Sequence, residues 1–314
     1  DEDDVKNLLD DYQAHARWDW SRARPPDISI ITGLRQHTKT TKPGPDGIPY
    51  AAWDAIGEIG DKHIADLVDE HLSGRPISGS FNNSDFAFLD KGGDEVDDDK
   101  STGVIFRHPL DTRPLALKNV DNKKVAHCAN TSISPVIVDG ACELQNGFIH
   151  GRQLTQNPVD LDYAARAYSL QYSKNFKRPR DYISNLTIDL KGIIARLPIL
   201  LLLDYAAAFP SVAHFWIHAV LEALKAPLGL RNLVKVLYTK NQGFWKIGGI
   251  RRWLFWITSG VLQGCPLSGS LFVMAIDPLL VAFRRHIEKP GLAKVRACAD
   301  DIGVALKALR ALPL

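Results

Sequence analysis

Ala297-Cys298-Ala299-Asp300-Asp301-Ile302-Gly303 places two adjacent carboxylates inside an otherwise apolar stretch near the C-terminus. Val295, Ala297 and Ala299 precede the acids at every second position, and Ile302, Val304 and Leu306 follow them. Period-two alternation on both sides predicts a β-hairpin with Asp300 and Asp301 at its turn. Two carboxylates held together repel unless a proton or a cation neutralises them, and a hard divalent ion such as Mg2+ takes oxygen ligands of this kind. A solvated Asp-Asp turn is the competing interpretation of these seven residues alone.

A second lone carboxylate has a similar setting. The apolar run Ile199–Leu203 has the length of a strand buried on both faces, and it ends at Asp204-Tyr205-Ala206-Ala207-Ala208-Phe209-Pro210. A carboxylate at the end of a buried strand is costly unless it meets solvent, a cation or a metal. Beyond Pro210, Ser211 is the expected N-cap of a helix whose apolar face is Val212, Phe215, Trp216, Ala219, Val220, Ala223 and Leu224.

The 314 residues are 45% hydrophobic, enough for a large core in one elaborate domain or in two to three subdomains. The longest unbroken apolar run is far shorter than a membrane span, and the four cysteines form no zinc-type spacing, so reduced thiols in an intracellular protein are expected. The net charge of +2 conceals an asymmetry: residues 1–100 hold 11 Lys and Arg against 22 Asp and Glu, and the remainder holds 27 against 14. A basic part of this kind can hold a polyanion, because phosphate neutralisation by Lys and Arg dominates nucleic-acid binding.

Upstream, Thr38 to Pro49 contains Lys42-Pro43-Gly44-Pro45-Asp46-Gly47, a rigid non-helical loop that presents Lys39 and Lys42. Tyr50 to His71 reads as helical, and Ser73 to Gly103 as a mobile acidic loop enclosing a strand, Phe86 to Asp90, that turns at Lys91-Gly92-Gly93. The extended Arg113-Pro114-Leu115-Ala116-Leu117-Lys118 follows. A strand ending in a lysine turn beside a strand carrying Arg113 suits a triphosphate clamp. Gln145-Asn146-Gly147-Phe148-Ile149-His150-Gly151-Arg152 is turn-rich, Asp160 to Tyr172 is helical, and Lys174, Lys177, Arg178 and Arg180 offer a basic path. Phe244 to Thr258 reads as a hairpin about Gly248-Gly249, and Ser259-Gly260-Val261-Leu262-Gln263-Gly264-Cys265-Pro266-Leu267 as a Gly-rich approach to a helix starting near Ser268.

Taken together, these segments resemble the reverse transcriptase domain of non-LTR (LINE-type) retrotransposons from about Lys42 to Leu306, because five motifs stand in the family's order. The motifs are the Lys42–Gly47 loop, Arg113-Pro114-Leu115 with Asn119 and Lys123, Leu203-Asp204 through Phe209, Ser259 through Leu271, and Ala299-Asp300-Asp301. The resemblance implies an α+β right-hand polymerase with fingers and palm, the palm sheet flanked by helices. It assigns residues 1–37 to an acidic extension and linker, 38–150 and 225–257 to fingers, and 151–224 and 258–314 to palm. It further implies that Asp204, Asp300 and Asp301 ligate two Mg2+ ions, with Mn2+ as a substitute, for nucleotidyl transfer from a dNTP to a primer 3′ hydroxyl. Arg113, Lys91, Tyr205, Phe209, Gln263 and Gly264 would contact the nucleotide, with Phe209 under the sugar excluding a 2′ hydroxyl. Lys42, Lys118, Arg152 and Arg178 would contact nucleic acid. The implied partners are an RNA template, a DNA primer and dNTPs, without a membrane, in a nuclear or cytoplasmic ribonucleoprotein.

Three departures stand out. Cys298 occupies the place where the family most often has Tyr or Phe, Asp90 precedes Lys91 where Pro is usual, and Gly269 sits where Pro often follows the motif serine. The chain stops thirteen residues after Asp301, from which a missing thumb is expected. An inactive or decayed copy that at most binds nucleic acid is the alternative function, and a group II intron maturase or telomerase-type polymerase shares the same palm chemistry.

Overall fold

The computed structural model describes residues 2–36, 41–76, 79–91, 97–99, 104–106, 108, 111–175, 183–184, 187–188 and 190–311. Among them the strands are β1 Ser84–Asp90, β2 Asp97–Asp99, β3 Val104–Phe106, β4 Thr112–Lys118, β5 Ile183–Ser184, β6 Thr187–Ile188, β7 Ile199–Leu203, β8 Gln242–Ile247, β9 Ile250–Trp256, β10 Ala293–Cys298 and β11 Asp301–Leu306. Helices stand before, between and after groups of these strands, and the mixture is α+β as expected. The expected acidic loop falls partly outside the described residues, and its described part includes β2, paired with β3. No described helix is long and apolar enough to cross a membrane.

The chain forms two compact units. One comprises Asp1–Asp19, Pro135–Ala208 and Phe272–Leu314; the other comprises Trp20–Ser134 and Phe209–Leu271. These limits differ from the expected ones at residues 135–150, 209–224 and 258–271. The first nineteen residues are also not a separate extension. Tyr12 is 1% exposed and donates its hydroxyl to Asp277 at 2.6 Å, joined by the Trp18 indole N–H at 3.3 Å. Burial pushes both the Tyr12 phenol and the Asp277 carboxyl upward. An acid hydrogen-bonded in this way inside the fold requires the N-terminal helix Glu2–His15 to stay in place.

In the first unit the three-stranded antiparallel sheet runs β10-β11-β7. The alternation expected for β10 is observed, with Ala293, Val295 and Ala297 buried and the residues between them half-buried. From Ile302 onward every residue of β11 is buried, because it is the central strand and the helix Gln156–Asn175 covers one face. Leu161 of that helix lies so close to Gly303 that a Cβ there would overlap it. The expectation that Ile199–Leu203 is buried on both faces is not met. β7 is an edge strand, and Leu202 is 75% exposed and Leu200 48%. An unbroken apolar run is the pattern of a central strand, and sequence alone does not reveal which strand lacks a second neighbour.

In the second unit the sheet order is β4-β1-β8-β9, with β1 parallel to β8 and the other pairs antiparallel. The predicted β8–β9 hairpin turns at Gly248-Gly249, both with positive φ, as a two-residue turn of right-handed strands requires. Helices Gly57–Leu72 and Leu228–Tyr238 lie against one another and bury Ile64, Val68, Leu230, Leu233, Val234 and Leu237. Each such side chain contributes about 1.5–3 kcal/mol of transfer free energy. Ser211 closes a short helix, Ala208–Ser211, instead of capping the next one, which starts at His214 after Ala213.

Candidate active site

β10 and β11 pair with Cys298 opposite Asp301, so the turn residues are Ala299 and Asp300, and Asp301 is the first residue of β11. This corrects the expectation that both acids lie in the turn. Ala299 has φ 55, the left-handed conformation that fits a two-residue hairpin turn and that a side chain ordinarily avoids.

β7 brings in the third carboxylate. Leu203 pairs with Ile302, so Asp204, one residue further, comes level with Asp301 on the neighbouring antiparallel strand. Asp204 and Asp301 are exposed and Asp300 is half-buried. Partial burial raises the Asp301 carboxyl above its ordinary value, and the charges of Asp300 and then Asp204 add to the rise. The Cys298 thiol is raised by burial and then by Asp301 and Asp300. The charges of Asp300 and Asp204 thus both reach the Asp301 carboxyl. Asp204 and Asp301 border a groove of about 490 Å³ whose other walls include Leu161, Leu202, Leu203, Arg296 and Cys298.

Among the described residues no three His, Cys, Asp or Glu side chains are already gathered as a metal cage. The donor set nevertheless fits Mg2+, which prefers oxygen, keeps several waters and is held by one or two carboxylates together with substrate phosphates. The negative charges of Asp300 and Asp204, which add to the rise that burial causes at Asp301, are ones a cation there would offset.

The turn is held from behind by a segment that the sequence marks only as turn-rich. Gln145 is 0% exposed; its Oε1 accepts the Ala299 N–H and the Gly147 N–H, each at 2.8 Å, and its Nε2 donates to the Ala299 carbonyl at 3.1 Å. Next to it, the Ala297 N–H donates to Leu144 O and the Asn146 N–H to Ala297 O, both at 2.8 Å, while Asn157 Nδ2 donates to Ala297 O at 3.0 Å. A Cβ at Gly147 would overlap the Ala299 nitrogen. Buried Gln and Asn in a glycine-containing turn were the available sequence signal, but their partners are about 150 residues away and were not readable.

The second unit gathers most of the residues expected to contact a nucleotide. Val261 N–H donates to Phe209 O at 2.9 Å, and a Cβ at Gly260 would stand 2.7 Å from the Pro210 main chain. Ala116 N–H of β4 donates to Gln263 O at 2.8 Å, and a Cβ at Gly264 would stand 2.8 Å from Ala116 O. The glycine-rich loop therefore lies between the Phe209 turn and the strand that carries Arg113. Arg113 is exposed, opposite Leu89 in the β1–β4 pair, and Lys91 is exposed just past the end of β1, its N–H donating to Asp111 O. Tyr205, in the first unit, is 42% exposed.

The Lys42–Gly47 loop sits on the end of β4. Asp46 N–H donates to Asn119 Oδ1, Lys123 Nζ donates to Lys42 O, and a Cβ at Gly44 would overlap the Lys118–Asn119 peptide. Lys42 itself is exposed. Two expected nucleic-acid contacts need correction. Lys118 is 2% exposed, with Nζ donating to Asn82 O at 2.9 Å and Asn241 Oδ1 at 3.0 Å, and burial lowers its pKa to about 8. The Arg152 guanidinium donates to the carbonyls of Val138, Ala141, Cys142 and Gln145. Both cations are occupied by main-chain and amide oxygens that folding brings to them. Arg178 lies outside the described residues.

Two neighbouring strand ends thus bring three carboxylates together in a chain with the motif order set out above. The chain belongs to the reverse transcriptase (RNA-dependent DNA polymerase) family, whose model matches residues 100–313. It is also 25% identical over 289 residues, 88% of its length, to the Transposon TX1 uncharacterized 149 kDa protein of Xenopus laevis, and it spans 19% of that protein. The two matches support the assignment to a non-LTR retrotransposon reverse transcriptase domain.

Proposed function

We propose that this chain carries out RNA-directed DNA polymerisation, adding dNMP units from dNTPs to the 3′ hydroxyl of a primer paired with an RNA template. The observation that carries the proposal is the strand register that sets Asp204 level with Asp301 beside Asp300. In this reading the first unit is the palm and the second the fingers. Two divalent ions bound by these carboxylates would supply an activated primer hydroxyl and a neutralised pyrophosphate leaving group.

The residues of the chain do the rest. Asp204 and Asp301 present oxygen ligands from adjacent strands, and the turn fixes the direction in which Asp300 joins them. Phe209 presents an aromatic ring to the sugar and disfavours a 2′ hydroxyl, which selects dNTPs. Arg113, with Lys91, neutralises the triphosphate, and the Gln263-Gly264 main chain, which the missing side chain at Gly264 lets pack close on Ala116, lines the nascent base pair.

Primer extension on an RNA template with dNTPs and Mg2+ tests the proposal. Metal-dependent extension that Asp204→Asn and Asp301→Asn each abolish is the expected result. Extension that survives either substitution, or that prefers rNTPs, would overturn it.

A further inference from the structure

We infer that Gln145 is a positioning residue for the carboxylate turn: its amide sets the backbone of Ala299, and through it the placement of Asp300 and Asp301. The inference rests on the polymerase reading for what the carboxylates hold, and on geometry for how they are held.

A two-residue turn between β10 and β11 is short, and its first residue is a non-glycine at φ 55. A two-residue turn calls for that conformation, but an alanine resists it, since the left-handed region brings Cβ against the carbonyl oxygen. Gln145 supplies the missing constraint. One side chain accepts from the N–H and donates to the C=O of the same residue, Ala299, an arrangement that fixes the orientation of both peptide planes flanking it. The peptide on the C-terminal side leads directly into Asp300.

The amide is itself immobilised. Its Oε1 accepts a second hydrogen bond from Gly147 N–H, and the main chain of residues 144–146 exchanges hydrogen bonds with Ala297, one step before the turn. Gln145 also forms a parallel bridge with Ala297. A side chain that served only to fill the core would need no amide, whereas here every polar atom of a wholly buried side chain is directed at the turn or at its own segment. Glutamate at this position would lose the donor to Ala299 O, and alanine would lose all the contacts.

Gln145→Met keeps the length and the buried volume and removes every side-chain hydrogen bond. The test is Mn2+ titration of the whole chain followed by electron paramagnetic resonance, with Asp301→Asn as the control that defines the site, and with circular dichroism to establish folding. The expected result is a folded Gln145→Met protein whose Mn2+ dissociation constant rises at least about tenfold. Wild-type Mn2+ affinity in folded Gln145→Met overturns the positioning role alone, because a merely structural residue changes the melting temperature without changing metal affinity. Absence of an Asp301-dependent Mn2+ site in the unmodified chain overturns the polymerase reading and the positioning role with it. Amide hydrogen exchange of unmodified protein gives a check that does not depend on a variant folding. The Ala299 N–H should be protected to the level of the β10–β11 ladder, and rapid exchange there refutes the clamp.

Discussion

Replacing Arg152 by alanine removes four hydrogen bonds at once. The guanidinium donates to Cys142 O at 2.6 Å, Gln145 O at 2.7 Å, Ala141 O at 2.8 Å and Val138 O at 3.2 Å. Two of these acceptors lie at and just beyond the end of the helix Val120–Gly140, where the last carbonyls have no intrahelical donor and a cation also favours the dipole. A hydrogen bond to a charged group is worth about 1.5–3 kcal/mol net. The four bonds share one donor group and the carbonyls left behind regain some water, so the expected total is about 3–5 kcal/mol, well short of four times the single-bond figure. That is a large part of the about 5–15 kcal/mol that stabilises a domain. Urea unfolding should show the loss as a lower midpoint with an unchanged slope. Arg152→Lys should recover only part of it, because an ammonium has three donors and no planar fork. RNA affinity measured on the folded variant against salt supplies the second readout. A lost phosphate contact would reduce the salt slope by about 0.7–0.9, whereas the structure predicts no change. A stability loss below about 1 kcal/mol together with a reduced slope would refute the argument.

Three further outcomes follow from the same geometry. Asp301→Asn should abolish extension while leaving the metal-free protein at least as stable as the parent. The folded carboxyl is raised, so its contribution is present below the unfolded value of 3.8 and is lost as pH rises through the folded one; at neutral pH the ionised acid opposes folding, and a lower melting temperature would count against this. Lys118, with a folded pKa of about 8 against an ordinary 10.5, favours the folded state above 10.5 and loses that contribution as pH falls to about 8. Wild-type stability should therefore rise between those values by up to about 3 kcal/mol, and Lys118→Met should flatten the curve in urea melts collected across that range. Gly264→Ala, with φ 105 and a Cβ directed at Ala116 O, should lower stability by about 1–3 kcal/mol and reduce dNTP use. An unchanged KM for dNTPs would remove the Gln263-Gly264 main chain from the nucleotide-binding reading.

What local chemistry dictates was legible in the order of residues alone. Alternation around Asp300-Asp301 gave the β10–β11 hairpin, Gly248-Gly249 the β8–β9 turn, and the proline–glycine spacing the Lys42–Gly47 loop; the order of these motifs was enough to reach the family. Each depends on neighbours a few residues apart, and side-chain periodicity and turn stereochemistry are fixed at that range. Tertiary structure decided which strand became central and which an edge, and it set Asp204 level with Asp301 across nearly a hundred residues of chain. It also turned Lys118 and Arg152, two cations that read as phosphate contacts, into internal donors, and it assigned Gln145 to the turn that carries the acids. A charged or amide side chain carries no local mark of its partner. Whether it meets phosphate, water or a buried carbonyl depends on which distant oxygens the fold brings to it, and that is settled only when the chain has closed.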